Sequence, residues 1–439
     1  MTATTIDISS SNDAATAPAA VGPLSWPAQP RVKLGMTGAE PALSETETAY
    51  QDVAHAFAEK VMRPTGQKLD RMTPEEVMAK DSPYWAFRER YLQLDINPVT
   101  LGALPMPELA KVLPIIMEEF GWGDGGLSVT IGACQLPPLL ALIFGKQYLL
   151  ERYPVTKIGC WAITEPDHGS DSLDPSKQIF HPEGKYGRPN CVATLRDNKV
   201  ILNGQKSAWV SNGPIAEVCV LYAAADRGNG ADPEHGVVMI VPMDAKGIRR
   251  GKSIDKLGQR PLPQGEIFFD NVELSADHIV AGPEEFQRAV YAIHCEANLQ
   301  MGAIWTGAAR AAFEIAYRYA HERKQGGVPI YRHQSVAQRL FHMYRKVEAS
   351  RALTRRVAMF NMTSPIPALQ SAMAVKVTAT QTSFEVASDA LQMLGGNGNT
   401  RVYPIEKILR DARASMIEDG CNEILAIKGG YQMMDPDLL

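Results

Sequence analysis

The stretch Met416-Ile-Glu-Asp-Gly-Cys-Asn-Glu-Ile424 follows a glycine cluster, Leu394-Gly-Gly-Asn-Gly-Asn399, and a basic segment, Tyr403-Pro-Ile-Glu-Lys-Ile-Leu-Arg-Asp-Ala-Arg413. Asp419 precedes Gly420, where no Cβ keeps a ligand away from the backbone. A carboxylate at the mouth of such a turn can act as a general base if its surroundings tune its pKa. Taken alone, the same residues read more simply as a helix C-cap beside a solvated acid. Two further stretches shift that weighting: Ala162-Ile-Thr-Glu-Pro-Asp-His-Gly-Ser-Asp171 and Asn203-Gly-Gln-Lys-Ser-Ala-Trp-Val-Ser-Asn-Gly213.

Around the C-terminal stretch, from about Glu284 to Gln432, the pattern is helical. Ile304, Ala308, Ala311, Ala312, Ile315 and Tyr319 mark one face of a long helix. A second helix runs from near Gln334 to about Asn361. A third spans Pro367 to Leu394 and stops at Gly395-Gly396, and a fourth starts after Pro404. Four long helices with short links predict a four-helix bundle.

Upstream, from Ile158 to about Asp277, short alternating segments are separated by turns. Val200–Ser211 reads as a strand, an Asn203-Gly204 turn and a second strand. Val218–Ala224, Val237–Val241 and Glu266–Phe269 are further strands, which predicts a small β-barrel or sandwich. Ser172–Asn190 reads as a long loop.

Ser44 to Tyr153 is again helical. Ser44 and Glu47 have the spacing of a capping box. Val53, Phe57 and Val61 form one apolar face, and the period returns at Leu109, Val112, Ile115, Ile116 and Phe120. Pro114 predicts a kink or split, Gly121–Gly126 a break, and Pro137-Pro138 an interruption. Residues 1–42, rich in Ser, Thr, Ala and Pro, cannot bury a core and read as a disordered tail. The predicted fold class is therefore α+β, with no internal repeat. It comprises the tail (1–42), a helical domain (43–157), a β domain (158–278) and a helical bundle (279–439).

Composition excludes several function classes. A net charge of -5 with no Lys/Arg cluster argues against nucleic-acid binding. The six cysteines, Cys134, Cys160, Cys191, Cys219, Cys295 and Cys421, form no CxxC pair, so free thiols and no metal site are expected. The longest apolar candidate, Leu136–Leu150, is broken by prolines and a lysine, so no membrane insertion is expected. The N-terminus lacks the arginines of a transit peptide and carries Asp7 and Asp13, which predicts a bacterial-type cytoplasmic protein.

Within the β segment, Trp209 and Ser211 lie two apart on one expected strand and so share a face. A large ring beside a hydroxyl can lie against a flat cofactor while the hydroxyl reaches a ring atom. A core tryptophan beside an ordinary serine explains the pair equally well in isolation. Thr164 precedes a proline turn, and His168-Gly169-Ser170 offers amides and a hydroxyl to an anionic group. Simple turn chemistry accounts for Thr164-Glu165-Pro166 on its own. Each signal is weak alone and strong in combination.

In order and spacing, the three stretches resemble acyl-CoA dehydrogenases from about Leu43 to the end. The resemblance implies FAD, with the matches to Trp161, Ile163, Thr164 and Ser170 contacting it and Ser170 also near the thioester ligand. The match to Trp209 packs on the isoalloxazine, and that to Ser211 bonds its central nitrogen. Arg323 matches an arginine that reaches the FAD diphosphate of a neighbouring subunit, and Gln334 a glutamine near the adenosine. Gln392, Gly395, Gly396 and Asn397 match the loop that closes over the same dinucleotide. Cys421 and Glu423 fall where family residues touch FAD after the base. The implied reaction is α,β-dehydrogenation of an acyl thioester, with Asp419 as base and Gly420 beside the substrate. The implied partners are an electron-transfer flavoprotein or another acceptor, and further copies of the chain in a dimer or homotetramer.

The chain also departs from the family pattern. The base is usually Glu after an aromatic residue; here Asp419 follows Glu418. Some members place the base on the first bundle helix near Ala297, which makes Glu296 a rival, and a common arginine is Asn298. A Pro-Glu-Glu-Tyr-Gly-Gly-like stretch is replaced by Leu101-Gly-Ala-Leu-Pro-Met106, and an expected Phe is Gly326. The Asp base and Gly326-Gly327 also resemble the nitroalkane oxidase branch of the same fold, in which an Asp deprotonates a nitroalkane and O2 reoxidises the flavin. Asp411-Ala-Arg413 and Asn422-Glu-Ile424 are more similar to the dehydrogenases.

Overall fold

The computed structural model describes residues 38–174, 187–434 and 436–438. The expected tail lies almost wholly outside these residues, as does most of the expected Ser172–Asn190 loop.

The N-terminal helices begin where their capping chemistry places them. Ser44 N donates to Glu47 Oε2 at 3.0 Å and Glu47 N to Ser44 Oγ at 3.1 Å, and the helix Glu45–Phe57 follows. Its turns continue as a π-helical turn, Ala58–Met62, into Arg63–Leu69. The expected break at Pro114 is absent, because Met106–Gly123 is one helix. Nor do Pro137 and Pro138 interrupt Gly125–Ile143. All three prolines are buried, and packing on several sides outweighs the backbone bond each one removes. The glycine-rich break shrinks to Asp124, whose Oδ1 accepts from Leu127 N at 2.9 Å as the cap of the second helix. Gly125–Ile143 is also long and apolar enough to cross a membrane, which corrects the reading of Leu136–Leu150 as the longest apolar candidate; 72% of its most apolar window is buried within the protein.

The middle of the chain is an eight-stranded sheet. Ile248–Arg250, Ile267–Ser275, Lys199–Lys206, Cys191–Arg196, Val218–Asp226, Ala231–Pro242 and Ile279–Ala281 are neighbours in that order. Gly159–Ala162 joins parallel to Val218–Asp226. The Asn203-Gly204 hairpin is a misreading. The turn is Asp197-Asn198, with Arg196 paired to Lys199 and Asp197 at φ 48°. Gly204, at φ +119°, sits inside Lys199–Lys206 where the register against Ile267–Ser275 shifts. A Cβ there would lie 1.9 Å from Asn190 O, so the glycine serves a bulge rather than a hairpin. The strand ends at Lys206; Trp209 lies in the following turn, and Ser211 forms isolated bridges to Trp161 and Gln264.

The C-terminal bundle has three long helices, Phe286–Glu322, Gln334–Thr363 and Leu369–Leu394. The expected fourth long helix is instead two short ones, Ile405–Ser415 and Asn422–Met433, divided at the Asp419-Gly420 turn. Phe286–Glu322 crosses Met106–Gly123 with almost no space between backbones. A Cβ on Gly121 would lie 1.9 Å from Ile304 O, and one on Gly307 would lie 1.9 Å from Glu118 O. Buried charges clamp the same crossing. Glu118 pairs with Arg310, Arg351 and Arg355 at 2.9 Å each, and Arg310 also holds Glu119. Burial opposes ionisation of Glu118, but the three arginines outweigh it and hold its pKa at about 2.

Candidate active site

A cleft of about 570 Å³ opens where the sheet, the bundle and the Asp419 turn meet. The sheet contributes one wall. Gly159–Ala162, held in register by Val218–Asp226, presents Trp161, and Ile163, Thr164, Ser170 and Leu173 follow along the cleft. Trp209 and Ser211 enter from the turn after Lys206. Gln264 fixes that turn by donating from Nε2 to Trp209 O and to Ser211 Oγ, both at 3.2 Å. Lys256 in turn donates to Gln264 Oε1 at 2.7 Å. Burial pulls the Lys256 pKa down to about 7, against the pull of Glu418 and Asp411. The Trp209 indole is 59% exposed, so a large flat ring faces the cleft without protein cover.

The opposite wall carries the acids. Asp419 adopts φ +52° and Gly420 φ +92°, the left-handed region that Gly enters freely and Asp more readily than most other residues, though at some cost. A side chain held in such a conformation needs surroundings that enforce it. Lys376, from the helix Leu369–Leu394, donates to Gly420 O at 2.8 Å and to Asn422 Oδ1 at 2.9 Å. Cys421 N donates to Ser170 Oγ at 3.0 Å, which ties the turn to the sheet wall. Gln259 Nε2 donates to Glu418 Oε1 at 2.7 Å.

These surroundings separate the two acids. Burial raises Asp419 to about 6, with Lys376 pulling the other way. Burial and then the Asp419 charge push Glu418 up to about 8, against Gln259, Lys376 and Lys256. At neutral pH the pair therefore favours one charge on Asp419 and one proton on Glu418. Lys376 is lowered to about 8 by burial, against the neighbouring acids.

The cleft brings together Trp161, Ile163, Thr164, Ser170, Trp209, Ser211, Asp419 and Gly420 of the sequence candidates. Cys421 adjoins it through its bond to Ser170, while Glu423 is exposed one turn on. Arg323, Gln334, Gln392, Gly395 and Gly396 do not line it. They are exposed near the far end of the bundle, where Ile330 N donates to Arg323 O at 2.8 Å and Asn397 Nδ2 to Tyr319 Oη at 3.0 Å. The rival acid Glu296 does not line the cleft either; its Oε1 accepts from Gln300 Nε2 at 2.9 Å. Sequence reasoning missed His294, Lys256, Gln259 and Gln264: Gln259 and Gln264 bond residues more than 50 positions away, Lys256 joins the site through Gln264, and His294 has no hydrogen-bond partner among the described residues. Among the described residues, no group of three or more His, Cys, Asp or Glu is placed to hold a metal ion.

The acyl-CoA dehydrogenase middle-domain model matches residues 160–272, and the acyl-CoA dehydrogenase C-terminal-domain model matches residues 286–432, together more than half of the chain. Cyclohex-1-ene-1-carbonyl-CoA dehydrogenase of Geobacter metallireducens is 28% identical over 90% of this chain and 99% of its own length. Among solved structures, butyryl-CoA dehydrogenase of Megasphaera elsdenii superposes with a TM-score of 0.78 at 24% identity, over 90% of this chain and all of that one. A glutaryl-CoA dehydrogenase of Mycobacterium smegmatis in complex with FADH2 superposes at 0.74 with 19% identity, covering 89% of this chain and 95% of that one. The α+β architecture, the cleft between sheet and bundle, and these matches agree: the chain belongs to the acyl-CoA dehydrogenase family of flavin oxidoreductases.

Proposed function

We propose that this protein removes the α and β hydrogens of an acyl thioester, with FAD in the cleft and Asp419 as the α-proton base. The observation that carries the reading is a carboxylate held at left-handed φ, half-buried at the cleft wall, with its pKa raised to about 6. A base poised just below neutral pH is ionised at work yet basic enough to share a proton with an acidified carbon acid.

The residues fit a flavin. The bare Trp209 ring supplies a stacking surface, Ser211 and Thr164 supply hydroxyls, and the buried Trp161 Nε1 has no partner among the described residues. When bound, the flavin supplies the acceptor for the hydride that leaves the β carbon. The chain supplies the rest. Asp419 accepts the α proton at a carboxylate oxygen, and Lys376 holds the turn in place through Gly420 O. A backbone amide at Glu418 or Asp419 would polarise the thioester carbonyl. Glu418, protonated and held by Gln259, adds no second charge beside the base.

The exposed group at the far end of the bundle, Arg323, Gln334, Gln392, Gly395 and Gly396, supports a dinucleotide shared with a second copy. We therefore extend the proposal to a homo-oligomer, a dimer or tetramer, that passes electrons to an electron-transfer flavoprotein or another acceptor. Anaerobic titration of the FAD-loaded protein with acyl-CoAs tests the reading. Bleaching of the flavin absorbance is expected; oxygen consumption with nitroethane and no bleaching by any thioester would replace it with the nitroalkane oxidase chemistry.

A further inference from the structure

His294 is 3% exposed, lines the cleft, and neither of its ring nitrogens has a hydrogen-bond partner among the described residues. Buried polar side chains almost always have partners, so an imidazole left without one at a cleft wall points to a ligand. Burial and the charge of Lys428 hold the ring neutral, so it carries one N–H donor and one acceptor. Its ring packs against Trp161 with centroids 6.1 Å apart, and Trp161 Nε1 is a second buried donor without a partner. The cleft therefore holds unanswered polar groups on this side.

His294 also has neighbours on the side of the Asp419 turn. The adjacent Cys295 packs in one apolar cluster with Leu173 and Leu425. Those two leucines are also the side chains that a Cβ on Gly420 would meet, at 2.8 Å each. Lys428, whose charge acts on the His294 ring, donates to Leu173 O, so His294 lies between Trp161 and the Asp419-Gly420 side that would hold the thioester. Trp209 and Ser211, the flavin platform, enter from the sheet. A plain hydrocarbon tail would leave the imidazole unpaired.

We propose that His294 selects an acyl group carrying a hydroxyl beyond the β carbon, the hydroxyl accepting from the ring N–H or donating to the bare ring nitrogen. The inference rests on the thioester reading above. It makes His294 a specificity residue: a site built to bond a substrate hydroxyl discriminates against the analogue that lacks it.

The test uses the FAD-loaded protein and anaerobic stopped-flow reduction by butanoyl-CoA, pentanoyl-CoA, 4-hydroxybutanoyl-CoA and 5-hydroxypentanoyl-CoA. For wild type, kcat/KM for one hydroxylated member should exceed that of its unsubstituted partner by about 10- to 100-fold. His294→Phe should reverse the preference, and His294→Gln, which keeps a donor and an acceptor, should retain part of it. The Kd values of the 2-enoyl products, read by calorimetry, should follow the same order. Preference of wild type for the unsubstituted chains overturns the proposal. So does a His294→Phe protein that loses FAD affinity but keeps the hydroxyl preference, because the ring then serves the flavin. Reduction by no thioester at all refutes the dehydrogenase reading itself, and the inference falls with it. If His294→Phe does not fold, the wild-type comparison and His294→Gln still decide.

Discussion

Replacing Asp419 by Asn separates the proposed base from its rivals. Asn is, with Asp, among the non-glycine residues most often found at φ near +52°, so the turn should keep its shape. Lys376 bonds Gly420 O and Asn422 Oδ1 rather than the Asp419 side chain, so that anchor survives too. The substitution therefore removes proton acceptance and little else. Loss of a general base costs about 10²- to 10⁴-fold in rate. The wild-type pH profile adds an independent magnitude. With Asp419 at about 6, some nine-tenths of the base is protonated one pH unit lower, so flavin reduction should fall roughly tenfold per unit below that point. The assay is stopped-flow bleaching of the FAD-loaded enzyme by its best acyl-CoA from pH 5 to 8.5. Asp419→Asn should retain flavin and substrate affinity, slow by the factor above, and lose the acid limb of the profile. Glu296→Gln should do much less. Normal reduction by Asp419→Asn with slow reduction by Glu296→Gln would move the base to the bundle helix, and if neither slows, the α-proton mechanism is wrong.

Three further outcomes are expected. Glu118→Gln leaves Arg310, Arg351 and Arg355 short of a buried partner and should cost about 3–5 kcal/mol at pH 7 by urea unfolding. Because the folded pKa of Glu118 is depressed to about 2 from an ordinary 4.5, its contribution is present above 4.5 and lost as pH falls towards 2; the variant should therefore lose less stability than wild type across that window. Gly307→Ala drives a methyl group into Glu118 O and should abolish the native fold or lower its Tm by many degrees, whereas Gly430→Ala, with open space at its Cβ, should cost little by the same thermal scan. Arg323→Ala removes a cation from the exposed end of the bundle and should weaken both FAD retention and association; sedimentation of an intact oligomer with full flavin content would argue against a shared site.

Much of the fold was legible because its signals are local. The capping box at Ser44 and Glu47 needs only a spacing of three residues, and it forms as read. The bundle helices follow from apolar periodicity, and Gly395-Gly396 does end its helix. The errors share a cause. Intrinsic propensity predicts breaks at Pro114, Pro137 and Pro138, but each helix is buried on several sides and tertiary packing overrides it. Dipeptide preference predicts a hairpin at Asn203-Gly204, yet the partner across the sheet, Ile267–Ser275, makes it a bulge.

The sequence alone determined the order of helical, β and helical segments, the family resemblance, and the candidate residues of the three motifs, since each is written in neighbours along the chain. It could not show that Gln259 would grip Glu418, that Gln264 would set Trp209 and Ser211, or that His294 would be left unpaired at the cleft. Those facts depend on side chains from separate elements converging within about 3 Å, or failing to. Register and packing decide that convergence, and with it the burial that sets Asp419 and Glu418 apart in pKa, because desolvation depends on everything that surrounds a group rather than on what precedes it in the chain.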